Sequence, residues 1–198
     1  MSKQVVAIVG SYRKGETIDT AIEAILEGAR ARGAKTHKIY LTERHIEFCK
    51  NCRRCTATPG PERGKCAQED DMEELLQEIE AADAIVLGSP VNMGNVTAIF
   101  RRFMERMMGT GYWPWGQAAP SLREKKPTKK AALVASSAMP KLMMLFFTGA
   151  TRALRMAARM LGAKTVATLW IGLAAGEMHH ELSPRTLARA RRIGWKLG

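Results

Sequence analysis

Five short runs of apolar residues are spaced along the chain, and within each run apolar character is continuous rather than alternating. Alternation is typical of a strand with one face in water, whereas continuous apolar character is typical of a strand covered on both faces. The pattern therefore predicts five buried strands. They cover residues 5–10, 37–41, 84–89, 131–136 and 166–171.

Between these runs, apolar residues recur every three or four positions, as in helices with one buried face. Ile18, Ile22 and Ile25 form such a stripe in the first helix. Ser183 and Pro184 suit the N-cap and first position of the last helix. The predicted helices lie near residues 18–29, 72–79, 99–107, 140–161 (with a break expected at Gly149) and 184–197.

Strands and helices thus alternate along the whole chain, which is typical of a parallel sheet with helices on both faces. The pattern predicts an α/β fold, a flavodoxin-like doubly wound five-stranded parallel sheet with strand order 2-1-3-4-5. No linker or internal repeat divides the chain, so residues 1–198 are expected to form one flavodoxin-like domain with a cysteine-rich loop at 42–69. A second long irregular stretch is expected at 109–129, and long loops in such domains are often functional.

The turn after the first predicted strand has the composition of a phosphate-binding loop. Ser11 and Thr17 offer hydroxyl donors, Arg13 and Lys14 offer positive charge, and Gly15 permits a tight turn. The N-terminus of the following helix adds free N–H groups. The loop matches neither the Walker A motif nor Gly-x-Gly-x-x-Gly, which disfavours ATP and a Rossmann dinucleotide.

The turn after the third predicted strand, residues 88–97, is the second candidate for ligand binding. In the order 2-1-3-4-5, the first and third strands flank the point where the chain reverses its direction of winding. Ligands of such sheets bind there, at the carboxyl ends of the strands. The phosphate loop is therefore expected to converge with the second loop, whose backbone N–H groups from Asn92 to Asn95 could bond a flat heterocycle.

These loops resemble a known family. The motifs that carry the resemblance are Gly10-Ser11-x-Arg13-Lys14-Gly15-x-Thr17, Gly88-Ser89-Pro90-Val91-x-x-Gly94-Asn95-Val96 and Phe103-x-Glu105-Arg106. Together they are similar to the NAD(P)H-dependent FMN reductase family of flavodoxin-like proteins. The set Cys49-x2-Cys52-x2-Cys55, followed by Cys66 and Asp70-Asp71-Met72, resembles the iron–sulfur flavoprotein branch of that family.

The resemblance implies which residues bind FMN. Those expected at the phosphate are Ser11, Arg13, Lys14, Gly15 and Thr17, and those expected along the isoalloxazine are Pro90, Val91, Asn92, Met93, Gly94 and Asn95. Ser136, with Ser137, is expected near the ring or the ribityl chain. The family often has an aromatic residue near position 92, where this chain has asparagine, so Trp113 and Trp115 become candidates for stacking on the flavin.

All four cysteines lie between positions 49 and 66, and their spacing lets three thiolates face one centre while Cys66 supplies a fourth. Four thiolates of this kind bind [4Fe–4S] clusters. Zinc also takes four cysteines, but usually as two separated pairs, and redox-active thiols are a third possibility. The metal-ligand prediction is Cys49, Cys52, Cys55 and Cys66. Because the cysteines follow the second strand, they are expected at the same edge of the sheet as the flavin loops.

Composition and charge narrow the function further. The 198 residues are 46% apolar and 25% charged, close to globular averages. No apolar run approaches the ~18 residues of a membrane span, and no secretory pattern opens the sequence, so we expect a cytoplasmic protein. The formal net charge of +12 predicts attraction to anionic small molecules or an acidic partner. Nucleic acid is not expected, since no recognition motif is present.

The combined hypothesis is an FMN-dependent NAD(P)H oxidoreductase with a [4Fe–4S] cluster, assembled as a homodimer or homotetramer. Electrons would come from NAD(P)H or reduced ferredoxin and leave to a small-molecule acceptor. No side chain is assigned as catalytic, because the cofactor itself takes up the hydride or electron. The alternatives are an electron-transfer protein without turnover and a redox-sensing regulator that binds nucleic acid.

Overall fold

Five parallel strands form the central sheet in the computed structural model, which describes residues 2–124 and 126–198. The strands of the chain are β1 (Gln4–Val9), β2 (Lys35–Tyr40), β3 (Ala84–Pro90), β4 (Gly111–Tyr112), β5 (Ser121–Leu122), β6 (Lys129–Ser136) and β7 (Ala163–Ile171). Their order across the central sheet is β2-β1-β3-β6-β7, while β4 and β5 pair separately and antiparallel. The predicted flavodoxin-like strand order is confirmed.

The helices are α1 (Thr17–Arg30), α2 (Arg54–Ala57), α3 (Met72–Ala81), α4 (Ala98–Arg106), α5 (Lys141–Phe147), α6 (Ala150–Met160) and α7 (Pro184–Leu197). The long segment predicted over 140–161 is two helices that meet at Gly149, as the glycine suggested. Among the described residues, no helix combines the length and the apolar character that a membrane span requires.

The sheet is covered on both faces, which explains the continuous apolar runs. In β1, Val6 and Ile8 face the helices α3, α4 and α6, whereas Val5, Ala7 and Val9 face α1 and α7. All five side chains are fully buried. Burial on both faces leaves no polar position in the strand interior, so the sequence pattern and the layer structure have the same cause.

The carboxyl ends of β1 and β3 are tied directly to α4. The Gly10 N–H donates to the Gly88 carbonyl at 2.8 Å, and the Thr97 hydroxyl donates to the Gly10 carbonyl at 2.7 Å. A Cβ at position 10 would lie 2.5 Å from the Phe100 ring, so only glycine lets α4 pack this closely. This packing fixes the floor of the crevice between the two strands.

The two long irregular stretches pack against each other, which the sequence did not predict. The stretch 109–129, expected to be irregular, contains the β4–β5 ladder, and the loop 42–69 contains the short helix α2. The Trp113 N–H donates to the Thr56 carbonyl at 2.9 Å, and the Arg123 guanidinium donates to the Thr58 and Gly60 carbonyls. Met1, and Lys125 of the basic run at 123–130, lie outside the described residues.

Candidate functional site

A cavity of about 300 Å³ opens at the carboxyl edge of the sheet, between the loops that follow β1, β3, β6 and β7. We call it the switch-point cavity. Seven of the twelve residues predicted to bind the cofactor line it: Ser11, Arg13, Thr17, Pro90, Val91, Asn92 and Ser136. Ser137, expected beside Ser136, lines it as well. The structure therefore brings the two predicted loops together at the topological switch point.

Two predicted phosphate ligands have other partners. The Lys14 ammonium pairs with Glu43 and lies 4.7 Å from the centre of the Tyr40 ring. The Gly15 N–H donates to a carboxylate oxygen of Asp19 at 2.6 Å. Neither residue lines the switch-point cavity, so Ser11, Arg13 and Thr17 are the three predicted phosphate ligands that do.

Asp19 supports the loop between β1 and α1 through Gly15, a role that was not predicted from the sequence. Its buried carboxylate accepts from Gly15, from the Lys38 ammonium at 2.8 Å and from the Tyr40 hydroxyl at 3.0 Å. Burial alone would raise the pKa of Asp19, but these bonds hold that pKa below its usual value. A charged carboxylate thus fixes the backbone of Gly15. No local motif identifies Asp19, since two of its three partners, Lys38 and Tyr40, lie on β2.

The loop after β3 forms a tight turn. The backbones of Asn92 and Asn95 bond each other at 2.8 and 3.0 Å, and the Val91 N–H donates to the Ser136 carbonyl at 2.7 Å. Met93 is fully exposed at the tip. Met93, Gly94 and Asn95, which were also predicted to bind the cofactor, do not line the switch-point cavity, whereas the adjacent Asn92 does. Of the four N–H groups expected to meet a heterocycle, those of Asn92 and Asn95 bond within the turn, and those of Met93 and Gly94 do not.

The segment between β7 and α7, residues 172–183, closes the side of the cavity next to Arg13. Ala174 and Ala175 line the cavity, and the Arg13 guanidinium donates to the Met178 carbonyl. Glu16 connects the two sides, since its carboxylate lies 3.1 Å from Arg13 and 2.6 Å from the His179 ring nitrogen. This segment follows the last strand and carries no ligand-binding motif, so its place at the cavity was not predicted.

A second cavity, of about 70 Å³, is lined by all four cysteines, and we call it the cysteine cavity. All four are free thiols, with Cys52 exposed and the others half-buried. Burial raises the pKa of the Cys55 thiol, and the neighbouring Cys66, Cys49 and Cys52 raise it further. The predicted set is therefore assembled in space.

Left-handed backbone turns the chain between the cysteines. Asn51 has φ 51° and Arg53 has φ 58°, and such angles are uncommon outside glycine. The Arg53 guanidinium lies 3.7 Å from the centre of the Trp113 ring and 4.1 Å from that of Trp115. The tryptophans considered for flavin stacking thus hold the cysteine loop instead, and neither lines the switch-point cavity.

Close contact between the backbones of Gly64 and Cys55 brings Cys66 back to the other three thiols. A Cβ at Gly64 would lie 1.8 Å from the Cys55 carbonyl oxygen, so only glycine fits there. The Gly64 N–H donates to the Gly109 carbonyl at 3.0 Å, which ties this return to the end of α4. The ten residues between Cys55 and Cys66 fold back at this point.

Arg106, the last residue of α4, contacts the Cys66 sulfur but does not itself line the cysteine cavity. Its guanidinium donates to the Cys66 sulfur at 3.4 Å, to the Glu47 carbonyl at 2.9 Å and to both carboxylate oxygens of Asp70. The Asp70 and Arg106 side chains are each 1% exposed. Burial alone would raise the pKa of Asp70, but the bond from Arg106 and two backbone N–H groups hold it below its usual value.

The two cavities have no lining residue in common, and α4 stands between them. Thr97 lies at the switch-point end of α4 and Arg106 at the cysteine end. Nine helical residues span about 13 Å at 1.5 Å per residue. Arg63 of the cysteine-rich loop pairs with Glu73 and Glu80 of α3, so this part of the loop packs along that helix.

In the described part of the chain, no group of three or more His, Cys, Asp or Glu side chains surrounds a point that could hold a single metal ion. A single zinc ion needs its sulfur ligands about 2.3 Å from one centre. The cysteine sulfurs share a cavity without converging on one point.

Comparison with known families gives one match over most of the chain. The family is described as NADPH-dependent FMN reductase, and it matches residues 4–177.

Two similar proteins are named iron–sulfur flavoproteins. One, from Archaeoglobus fulgidus, is 36% identical over 109 residues, which are 55% of this chain and 47% of that protein. The other, from Methanosarcina thermophila, is 33% identical over 103 residues, 52% of this chain and 51% of that protein. The matches thus span about half the length of these relatives.

Among solved structures, an NAD(P)H:quinone oxidoreductase from Methanothermobacter marburgensis superposes with a TM-score of 0.71. The superposition covers all of both chains at 20% sequence identity. At that identity, the likeness concerns the fold.

Proposed function

The chain belongs to the NADPH-dependent FMN reductase family, and on that premise we propose that it is an oxidoreductase that binds FMN in the switch-point cavity. The observation that carries the proposal is the convergence of seven predicted residues, from three separate loops, on one cavity of about 300 Å³. That volume lies at the lower end of the range for ligand sites, and the position is the one where doubly wound sheets bind ligands.

The phosphate of FMN would lie at the N-terminus of α1, where the N–H groups and the helix dipole favour an anion. Ser11 and Thr17 are buried at the cavity wall and would donate hydroxyl hydrogen bonds. Arg13 would supply the positive charge and would give up its contacts with Met178 and Glu16 to do so.

The isoalloxazine would lie beside the turn after β3. Pro90 and Val91 form the wall, and the N–H groups of Met93 and Gly94 would donate to the polar edge of the ring. The Ser89 hydroxyl and Thr97 hold this turn against Gly10 through buried hydrogen bonds, so its shape is set before the cofactor arrives. Bound FMN would take up a hydride or single electrons and pass them to an acceptor.

We propose that Cys49, Cys52, Cys55 and Cys66 hold a [4Fe–4S] cluster. In such a cluster each cysteine binds its own iron, so the sulfurs need a common cavity but no common point. The cysteine cavity has this arrangement. The Asn51 and Gln68 N–H groups point at the Cys49 and Cys66 sulfurs at 3.4 and 3.5 Å, and hydrogen bonds of this kind stabilise cluster thiolates.

The electron donor in this proposal is NAD(P)H or reduced ferredoxin, and the acceptor is a small molecule. Basic side chains around the cysteine cavity, Lys50, Arg53, Arg54 and Lys65, would favour an acidic donor protein. Arg63 is not among them, since its charge is matched by Glu73 and Glu80.

We also propose assembly into a homodimer or homotetramer. The helix α5 exposes Leu142, Phe146 and Phe147 by 67%, 77% and 69%, and Ala138, close before it, lines the switch-point cavity. An apolar face of this kind beside a cofactor site suits contact with a second copy of the chain. The mass in solution, with and without FMN, tests this assembly.

The decisive variant for FMN binding is Arg13→Ala, because Arg13 lines the cavity and its neighbour Lys14 does not. We expect Arg13→Ala to weaken FMN binding by about 10- to 100-fold, the loss of a charge-assisted hydrogen bond, and Lys14→Ala to change it less than threefold. Fluorescence titration of the stripped protein with FMN measures both. Equal affinities in the two variants would overturn the placement of the phosphate.

Turnover distinguishes an enzyme from a carrier. Steady-state oxidation of NADH and NADPH, with quinone, oxygen and ferredoxin-linked assays in parallel, should show turnover that falls in proportion to FMN occupancy in Arg13→Ala. A protein with bound FMN that turns over none of these substrates would be an electron-transfer protein instead.

A further inference from the structure

We propose that Arg106 positions the fourth cysteine ligand and raises the reduction potential of the group held in the cysteine cavity. This inference rests on the proposed [4Fe–4S] cluster. Arg106 would not touch a substrate or FMN, so it is a positioning residue whose effect passes through the Cys66 sulfur.

The first support is the contact set of the guanidinium. It donates to the Cys66 sulfur at 3.4 Å, and three more of its hydrogens go to the Glu47 carbonyl and to both Asp70 oxygens. The Nε–H has no hydrogen-bond partner among the described residues. The guanidinium is planar, so fixing three of its N–H groups also fixes the direction of the N–H that faces Cys66. The sulfur is therefore the remaining partner toward which this side chain is oriented.

The second support is burial. The side chains of Arg106 and Asp70 are each 1% exposed, and charges removed from water interact more strongly than exposed ones. A buried arginine costs desolvation free energy unless it is paired. The pair with Asp70 and the bond to Cys66 replace the contacts with water that Arg106 loses.

The third support is that the guanidinium is carried on a fixed frame. The N-cap of α4 is Thr97, whose hydroxyl accepts from the Phe100 N–H and donates to the Gly10 carbonyl. At the other end, the Gly109 carbonyl accepts from the Gly64 N–H. Gly109 lies three residues beyond Arg106, so these hydrogen bonds fix the chain on both sides of the guanidinium. A shift of α4 would break at least one of them, and the Arg106–Cys66 distance is therefore defined by the fold.

The electrostatic consequence has a definite sign. Reduction adds one electron to the cluster and releases no group, so the reduced form is more negative by one charge. A cation near the sulfur stabilises the reduced form, and hydrogen bonds to cysteine sulfur act in the same direction. Asp70 opposes this effect. Removing the cation should therefore lower the reduction potential, and removing the Asp70 charge should raise it.

The experiment is an anaerobic redox titration of the reconstituted, full-length protein with dithionite, followed by absorption and electron paramagnetic resonance. We expect Arg106→Gln to reduce the equilibrium constant for one-electron reduction by about tenfold, which is 59 mV. Asp70→Asn should raise it by a similar factor. Arg106→Lys keeps the charge and should lie between wild type and Arg106→Gln.

A matched control is Arg101→Gln on the same helix, where the arginine is exposed and pairs with Glu105. It should leave the potential unchanged. A purely structural role would give cluster loss or no shift, but not shifts of opposite sign in Arg106→Gln and Asp70→Asn. If Arg106→Gln loses its cluster, Asp70→Asn and Arg106→Lys still decide the sign.

Equal potentials in wild type, Asp70→Asn and Arg106→Lys would overturn this inference while leaving the cluster proposal standing. Wild-type protein that takes up no iron and sulfide on anaerobic reconstitution would instead overturn the cluster proposal itself. Iron and sulfide contents, measured on every sample before titration, separate the two failures.

Discussion

The switch-point cavity and the cysteine cavity are built in different ways. The first is formed by short loops at the carboxyl ends of four parallel strands, and its shape follows from the sheet. The second is formed by the long loop 42–69, which packs against the stretch 109–129. Its supports are left-handed residues within the loop, an arginine stacked on a tryptophan of the other stretch, and a buried ion pair with the last residue of α4. A site on a sheet edge is thus held by the core of the fold, whereas a site in a loop needs its own supports.

The largest expected effect concerns a support of the cysteine cavity. Gly64→Ala places a Cβ 1.8 Å from the Cys55 carbonyl oxygen, and forcing the backbones apart should cost about 3 kcal/mol locally. We expect the variant to lose most of its bound iron while its FMN affinity stays at the wild-type value. Iron analysis and FMN titration of the same sample measure this.

The control is Gly176→Ala, where a Cβ would meet no atom within 4 Å. Full iron content in Gly64→Ala would mean that the return of Cys66 does not depend on this close approach.

The next effect concerns the support of the phosphate loop. Asp19→Asn removes a buried carboxylate that accepts from Gly15, Lys38 and Tyr40, and we expect it to lower the free energy of unfolding by about 2 kcal/mol at pH 6. Because the folded pKa of Asp19 lies below its unfolded value, the stabilisation is complete above about pH 4 and is lost as pH falls through the folded pKa.

Urea unfolding of both proteins at pH 6 and pH 3 tests this sign. The difference between wild type and Asp19→Asn should be smaller at pH 3. A difference that grows on acidification would show that Asp19 is not the charged acceptor under the loop.

A smaller effect is expected from the tryptophans that hold Arg53. Trp113→Leu should lower the stability of the cysteine loop by about 1–2 kcal/mol, since the ring stacks on Arg53 in a half-buried position. Trp115 is 73% exposed, so Trp115→Leu should cost less. Hydrogen exchange of residues 50–58 measures the local opening in each variant.

Quenching of FMN fluorescence should be alike in wild type and both tryptophan variants. A loss of quenching in Trp113→Leu would indicate that Trp113 contacts the flavin, which would contradict its assignment to the cysteine loop.

The smallest effect concerns the segment that closes the switch-point cavity. His179→Ala removes the contact with Glu16, and a surface pair of this kind contributes about 0.5 kcal/mol. We therefore expect FMN to dissociate about two- to threefold faster. The neighbouring His180→Ala should leave the rate unchanged, and equal rates in the two variants would show that the segment does not retain FMN.

The difference between the cavities also explains what the sequence could predict. Ser11, Arg13 and Thr17, predicted as phosphate ligands, do line one cavity, and they could be picked out because the pattern of such a loop is local and its chemistry shows in its residues. The fold was found because burial on both faces leaves continuous apolar runs. Both signals come from residues that are close in sequence.

The supports of the cysteine cavity come from residues far apart in sequence. Arg53 meets Trp113 across 60 positions, and Arg106 meets Asp70 across 36 positions and Cys66 across 40. The cysteine spacing indicated which thiols assemble, but nothing local indicated what holds them. Asp19 was missed for the same reason, since its partners Lys38 and Tyr40 lie on the next strand.

The most direct test of the two-cavity account is the FMN and iron content of three anaerobically reconstituted proteins: wild type, Arg13→Ala and Cys66→Ser. We expect about one FMN and about four irons per wild-type chain. At limiting FMN, Arg13→Ala should lose flavin and keep its iron, whereas Cys66→Ser should lose iron and keep its flavin. A wild-type protein that takes up no FMN, or variants that lose both groups together, would contradict two independent redox sites in this chain.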